Sequence, residues 1–344
     1  MRRKLLVFVP LALLVLTASV VGGGWLWAST ALAESWRNWL AERRAEGYAF
    51  TDAEPEIGGF PSRITARFDG PAVRAPAGWH WQLPGVTARA QLTQPLTVHW
   101  RAPGTHTLTT QAGRTLRLDG KEARGRATLS TAGALQRGRM RLAEVDLTGL
   151  RAGRVGAEHV TARMGGGANA GEHRVPLRTE ARQVTLPAPL ALPLGRTVRR
   201  IRIDATLRGP LPDAITREGL QAWRSNGGAL EVHAASVHWA DVTVKADGQV
   251  ALDEKLRPAG TLQVDVRGLE PAVRALLEAG WVSERIAGYA RMLAAALQQV
   301  QDEGPKTITV PLHFRNGKVL VGPMPLGRLS PVLADRTSRP DAPR

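Results

Sequence analysis

From Tyr48 onward, apolar and polar residues alternate with a period of two. In "RRIRIDATLRG", Ile201, Ile203, Ala205 and Leu207 fall on one side and Arg200, Arg202, Asp204, Thr206 and Arg208 on the other. In "KTITVPLHFRNGKVLVG", Ile308, Val310, Leu312 and Phe314 alternate with Thr307, Thr309, Pro311 and His313, and Asn316-Gly317 then predicts a two-residue hairpin turn. Similar runs at Thr115 to Leu118, Arg126 to Ser130, Met140 to Leu147, Val160 to Met164, Val184 to Leu186, Leu230 to Val232, Val242 to Ala246 and Leu262 to Val266 predict further strands. The Asp-Gly pairs at Asp69, Asp119 and Asp247 read as turns between strands. Strands at this spacing with no helix between them predict an antiparallel sheet.

Helical patterns are few. Pro212 to Arg224 is one, and Glu270 to Gln301, broken near Gly280, is another. Beyond the break, Ile286, Tyr289, Leu293 and Leu297 share one apolar face. The amino-terminal region differs. Arg2, Arg3 and Lys4 precede an uncharged run from Leu5 to Trp27, about 34 Å as a helix and enough to span a bilayer core. Trp25 and Trp27 lie at its far end, where interfacial aromatics belong, and the charge asymmetry predicts a cytoplasmic amino terminus with an exported body. The rival reading is a cleaved signal peptide ending at "ALA", Ala31 to Ala33. Leu32, Trp36, Trp39 and Leu40 then recur at helical spacing up to Gly47.

Many one-sided strands and few helices leave a large apolar area to cover. A closed barrel, a sandwich or a trough holding an apolar ligand would each cover it, and from physics alone the sandwich comes first.

Composition narrows the chemistry. The absence of cysteine excludes disulfides, thiolate metal sites and cysteine nucleophiles. The formal charge of +16 is carried almost entirely by arginines spread along the chain. An exported body turns that charge from nucleic acid toward anionic lipid, against the plainer reading of a solvated basic surface. Arg200, Arg202 and Arg208 carry the same choice between a solvated outer face and headgroup contact. None of the histidines forms a metal-binding spacing, and His233 and His238, five apart, would point to opposite faces of a regular strand. Gly165-Gly166-Gly167 lacks the lysine and helix start of a phosphate loop. An enzyme would need converging carboxylates such as Glu54, Glu56 or Asp69, whose spacing matches no known acid pair. No catalytic residue, metal ligand or cofactor is therefore assigned, and nucleic acid is not expected as a partner.

The ordered motifs "GWLWA", "GYAF", "IGGFPSRI", "WHWQLPGVTARA", "LTVHWRAPGTHTL", "IRIDATLRGPLP" and "GKVLVGPMPLGRLSPV" resemble the bacterial membrane-anchored family known as domain of unknown function 2125. The stretch from Ala229 to Gly268 and the ending "NGKVLVGPMPLG" are more distantly similar to AsmA-like envelope proteins. The latter resemblance implies an inner-membrane anchor, a long curved sheet with an apolar concave face, and phospholipid movement. It turns the preference from sandwich to trough.

The expectation is thus a mainly β protein: a large curved antiparallel sheet forming an open trough or groove. It comprises an anchor over 1–27, a juxtamembrane helix over 28–47, a β-rich domain over 48–330 and a disordered tail over 331–344. Ile201, Ile203, Leu207, Ile308, Val310, Leu312 and Phe314 are the candidate groove lining, and Ile286, Tyr289, Leu293 and Leu297 the covering helix. Gly58, Gly59, Phe60 and Pro61 form a structural motif, with Phe60 expected to be buried as a plug. The inner membrane, phospholipid or another anionic envelope lipid, and an envelope protein docked on a sheet edge are the expected partners.

Overall fold

The computed structural model describes residues 2–332 except 132, 134, 151, 166–172, 189–193, 211–215, 269–276, 278–287, 289–306 and 323; for residues 2–21 and 324 it describes the backbone alone. The expected covering helix with Ile286, Tyr289, Leu293 and Leu297, most of the triple glycine and most of the 331–344 tail lie outside the described residues.

Two compact units divide the chain, Met1–Val155 and Gly156–Arg344. The first opens with helix α1 (Arg2–Ala45), followed by β1 (Ala49–Thr51), β2 (Glu56–Gly58), β3 (Arg63–Phe68), β4 (Ala72–Arg74) and β5 (His80–Gln82). It continues with β6 (Val86–Gln91), β7 (Gln94–Arg101), β8 (Gly104–Thr109), β9 (Thr115–Leu129) and β10 (Leu135–Leu150). The second contains β11 (Gly153–Gly165), β12 (Arg174–Thr185), β13 (Thr197–Arg208), α2 (Arg217–Ser225), β14 (Ala229–Trp239) and β15 (Val242–Leu252). It ends with β16 (Pro258–Arg267), β17 (Thr307–Arg315), β18 (Lys318–Val321) and β19 (Met324–Arg328). The protein is mainly β and its strand pairings are antiparallel, as the alternation predicts. Among the residues described with their side chains, no helix is long and apolar enough to cross a membrane.

In the first unit β9 is the hub. One edge pairs with β10 along nearly its whole length. The other edge is shared: Thr115 to Gly120 pair with β8, and Arg124 to Thr128 with β7. From β8 the order runs to β5, β4 and β1; from β7 it runs to β6, β3 and β2. Trp100 on β7 lies across Gly125 of β9, where an added Cβ would sit 2.4 Å from the indole. Glycine here admits a close crossing that a side chain would block.

Three tryptophans fasten α1 to this unit. Trp25 Nε1 donates to Arg63 O at 2.8 Å, and Trp36 Nε1 donates to Ala53 O at 2.6 Å. Trp36 also meets Phe68 at 5.2 Å and stacks on Trp39 at 5.0 Å, while Trp39 meets Phe50 at 5.6 Å. Leu40 of the same helix is buried. Offset and tilted ring pairs of this kind add to simple area burial.

The second unit is a meander from β11 to β19 in which each strand pairs with the next. No pairing joins β19 back to β11 among the described residues, so this sheet stays open rather than closing as a barrel. The hairpin turn at Asn316-Gly317 forms as predicted, both residues having positive φ, 53° and 71°. The short helix α2 is capped by Thr216, whose Oγ1 accepts from Gly219 N at 3.1 Å. Trp223 on α2 is buried and donates Nε1 to Arg208 O at 2.8 Å.

Three expectations are corrected. Asp119-Gly120 and Asp247-Gly248 are not turns but lie inside β9 and β15. At Gly248, with φ 139°, a Cβ would come 2.3 Å from Thr261 O, so the glycine serves a tight approach between strands. His233 and His238 do not point to opposite faces. A bulge between Val232 and Ala235 inserts an extra residue and restores both to one face, where His233 meets Thr206 at 2.8 Å and His238 meets Thr243 at 3.3 Å. Phe60 is not buried. It is 60% exposed because the turn after Gly59, φ 101°, carries it outward at the tip of the β2–β3 hairpin. There its ring meets Trp25 edge-on at 5.6 Å.

Candidate functional site

Residues paired directly across an antiparallel ladder project to the same face, and every second residue follows them. Applied to the second unit, the pairings put Ile201, Val237, Val244, Val266 and Ile308 in one row. Ile203, Ala235, Ala246, Val264 and Val310 form the next. Ala205, Val232, Gly248, Leu262 and Leu312 form a third, and Leu207, Leu230, Val250, Gly260 and Phe314 a fourth. All seven residues proposed from sequence for the groove therefore share one apolar face. The bulge in β14 keeps these rows aligned, since without it half of that strand would turn its polar side to this face.

The burial of this face is intermediate. Ile308 is buried at 6% exposure, Ile201, Leu207, Val310, Leu312 and Phe314 are half-buried, and Ile203 is 41% exposed. A face inside a closed sandwich would be drier than this.

The opposite face carries charge in pairs. Arg178 Nε donates to Asp204 at 2.7 Å, and Glu231 receives both Arg174 at 2.6 Å and Arg208 at 2.8 Å. Glu180 binds Arg182 at 2.6 Å and Arg200 at 3.5 Å. The hydrogen bond from Arg182, then the surrounding arginine charge, holds the Glu180 carboxyl below its ordinary range. Arg200 and Arg208 thus sit on carboxylates, as the solvated-face reading of these arginines has it. Exposed pairs of this kind add little stability each, and their regular placement fixes strand register instead. At the β15–β16 turn burial opposes ionisation of Asp253, but the hydrogen bonds from Arg257 and from the Arg257 and Lys255 amides outweigh it and lower its pKa.

Two of the hollows among the described residues belong to the first unit. One, of about 370 Å³, is bordered by Arg63, Arg89, His99, Arg101 and Arg124. The other, of about 580 Å³, is bordered by Trp79, Trp81 and Leu108. Of the carboxylates considered for catalysis, Glu56 stands on β2 opposite Arg67, Glu54 precedes β2, and Asp69 follows β3. Among the described residues no cluster of His, Asp and Glu is arranged to hold a metal ion.

A family model described as an uncharacterized protein conserved in bacteria (DUF2125) matches residues 25–330. The chain belongs to the DUF2125 family. No curated protein and no solved structure matches it, so the AsmA-like resemblance stays an expectation. The match to the DUF2125 model runs through both units, from Trp25 in α1 to the loop after β19. The motif Gly58, Gly59, Phe60 and Pro61 lies on the β2–β3 hairpin of this DUF2125 chain. Sequence reasoning missed the exposed position of Phe60. The signal was present: an aromatic set between turn residues, beyond the last alternating position, projects from a hairpin tip.

Proposed function

We propose that this DUF2125 protein is anchored in the bacterial inner membrane by Leu5 to Trp27 and handles lipid in the periplasm with the apolar face of its second unit. Acyl chains lie across the rows led by Ile201 and Ile203, and headgroups remain in water. The observation that carries this reading is the exposure of Ile203 within four continuous apolar rows. A wide, half-wet hydrocarbon face has a driving force for acyl chains of about 0.8 kcal/mol for each methylene it removes from water. Ten methylenes held this way give about 8 kcal/mol before ordering costs, enough for retention but not for irreversible binding. No reaction is involved. The backbone is satisfied by its ladders and the ligand is held by area alone.

Native mass spectrometry of protein extracted in mild detergent tests the reading. The expected result is co-purified phospholipid, lost when Ile203→Glu and Val264→Glu place charges in one row. Protein that carries no lipid and extracts none from liposomes would overturn it.

A further inference from the structure

Register within the first unit brings three hairpin tips to one end. Ile64, Ala90, Val98, Ala127 and Gly138 form one row across β3, β6, β7, β9 and β10. Just past that row, on the same side, the chain turns between β2 and β3, between β6 and β7, and between β9 and β10. Phe60 sits in the first turn, and Leu96 in β7 and Leu135 at the start of β10 lie close behind the other two; they are 60%, 40% and 44% exposed. Exposed large apolar side chains are seldom gathered in one place, so three at one end of a sheet are unusual.

The same end meets α1 where its long apolar run stops. Trp25 bonds to Arg63 O at the start of β3, and Trp36 meets Phe68 at its end. Eleven residues of helix and five of strand both rise about 16 Å, so β3 runs alongside α1. Next to Trp25, Leu26 and Trp27 are 60% and 74% exposed. Twenty helical residues preceding Trp25, Leu5 to Gly24, measure about 30 Å, the thickness of a bilayer's hydrocarbon core. With that run in the membrane, Trp25 stands at the bilayer surface, and the three tips stand there with it. Arg63 and Arg137 occupy the first charged positions behind the β2–β3 and β9–β10 tips, Arg63 opposite Gln91 and Arg137 opposite Thr128.

We propose that this end of the first unit is a membrane foot. Phe60, Leu96 and Leu135 enter the interfacial layer of the bilayer that holds α1, and Arg63 and Arg137 meet the phosphates of anionic phospholipid. Aromatic and leucine side chains favour that layer, and each arginine near an anionic surface adds electrostatic attraction. The body then stands at a fixed height and orientation instead of swinging on its helix. The proposal rests on the reading of Leu5 to Trp27 as a span.

The absence of native cysteine allows the test on the full chain. Single cysteines at Ser62, Thr93 and Leu135 carry an environment-sensitive fluorophore, with Asp69 and Ala112, at the far end of the same strands, as controls. The chain is reconstituted in nanodiscs of phosphatidylcholine with or without phosphatidylglycerol, containing lipids that bear a quencher near the headgroup. The expected result is blue-shifted, strongly quenched emission at the three tip positions and water-like emission at both controls. Phosphatidylglycerol strengthens the quenching, and Arg63→Glu with Arg137→Glu removes that gain. Water-like emission at the tips of a chain that still co-elutes with discs overturns the foot and leaves the anchor standing. A chain that does not co-elute with discs overturns both.

Discussion

The clamp between α1 and the first unit is energetically concentrated at Trp36, and that can be measured. Its indole Nε1 donates to Ala53 O at 2.6 Å, and Ala53 is only 8% exposed. Trp36→Phe keeps most of the ring but leaves that carbonyl without its donor, at a cost of about 1.5 kcal/mol. Trp36→Ala also removes the contacts to Trp39 at 5.0 Å and Phe68 at 5.2 Å. For a half-buried indole the total comes to about 3 kcal/mol, the low end of the range for large aromatics. Hydrogen exchange read by mass spectrometry on the intact chain reports local opening over residues 30–58. The expected acceleration is about tenfold for Trp36→Phe and about 150-fold for Trp36→Ala, with β11 to β19 unaffected. Unchanged exchange in Trp36→Ala, in a protein of native spectrum, would refute the idea that this side chain holds the helix down.

Gly125→Ala drives a Cβ into the Trp100 indole and toward Arg139 O, and urea unfolding of the first unit should show a loss of about 1–3 kcal/mol. Thr216→Ala removes the cap of α2 and should cost about 1 kcal/mol, read as faster exchange in residues 217–225. Asp253 has a lowered pKa in the folded state, so its contribution is complete above the ordinary aspartate range and fades as pH falls below about 4. The stability gap between wild type and Asp253→Asn should therefore narrow on acidification; a constant gap from pH 6 to pH 3 would contradict the assignment.

Alternation alone was enough to place β13 and β17 and to predict the Asn316-Gly317 hairpin, because both strands keep a strict period of two through their apolar rows. Where the period slips, sequence reading failed. The extra residue at His233 and Ala234 shifts the phase of β14, and nothing local distinguishes such a bulge from a strand end. Asp247-Gly248 has the composition of a turn, yet its glycine is required by the backbone of β16 beside it, a neighbour known only from the fold. The apolar face was legible as residues but not as a surface, since its continuity depends on register between strands up to 54 positions apart, such as Gly260 and Phe314. Phe60 was misplaced for a related reason. Burial of a turn aromatic depends on what lies opposite it, and here Phe60 meets the edge of Trp25 on a projecting tip that leaves it 60% exposed.

The two edges of β9 have a consequence for how the protein is made. In the second unit each strand pairs with its predecessor, so structure can accumulate in the order of synthesis and few edges wait long for a partner. In the first unit β7 and β8 each meet β9 only after residue 115 has emerged, and β1 reaches it through three intermediate strands. Until then β7 and β8 present unpaired strand edges, the condition that invites misassembly between chains. A chaperone holding residues 49–109 during synthesis would be most valuable in that interval, and a chain interrupted before β9 would leave this segment as two unjoined ribbons.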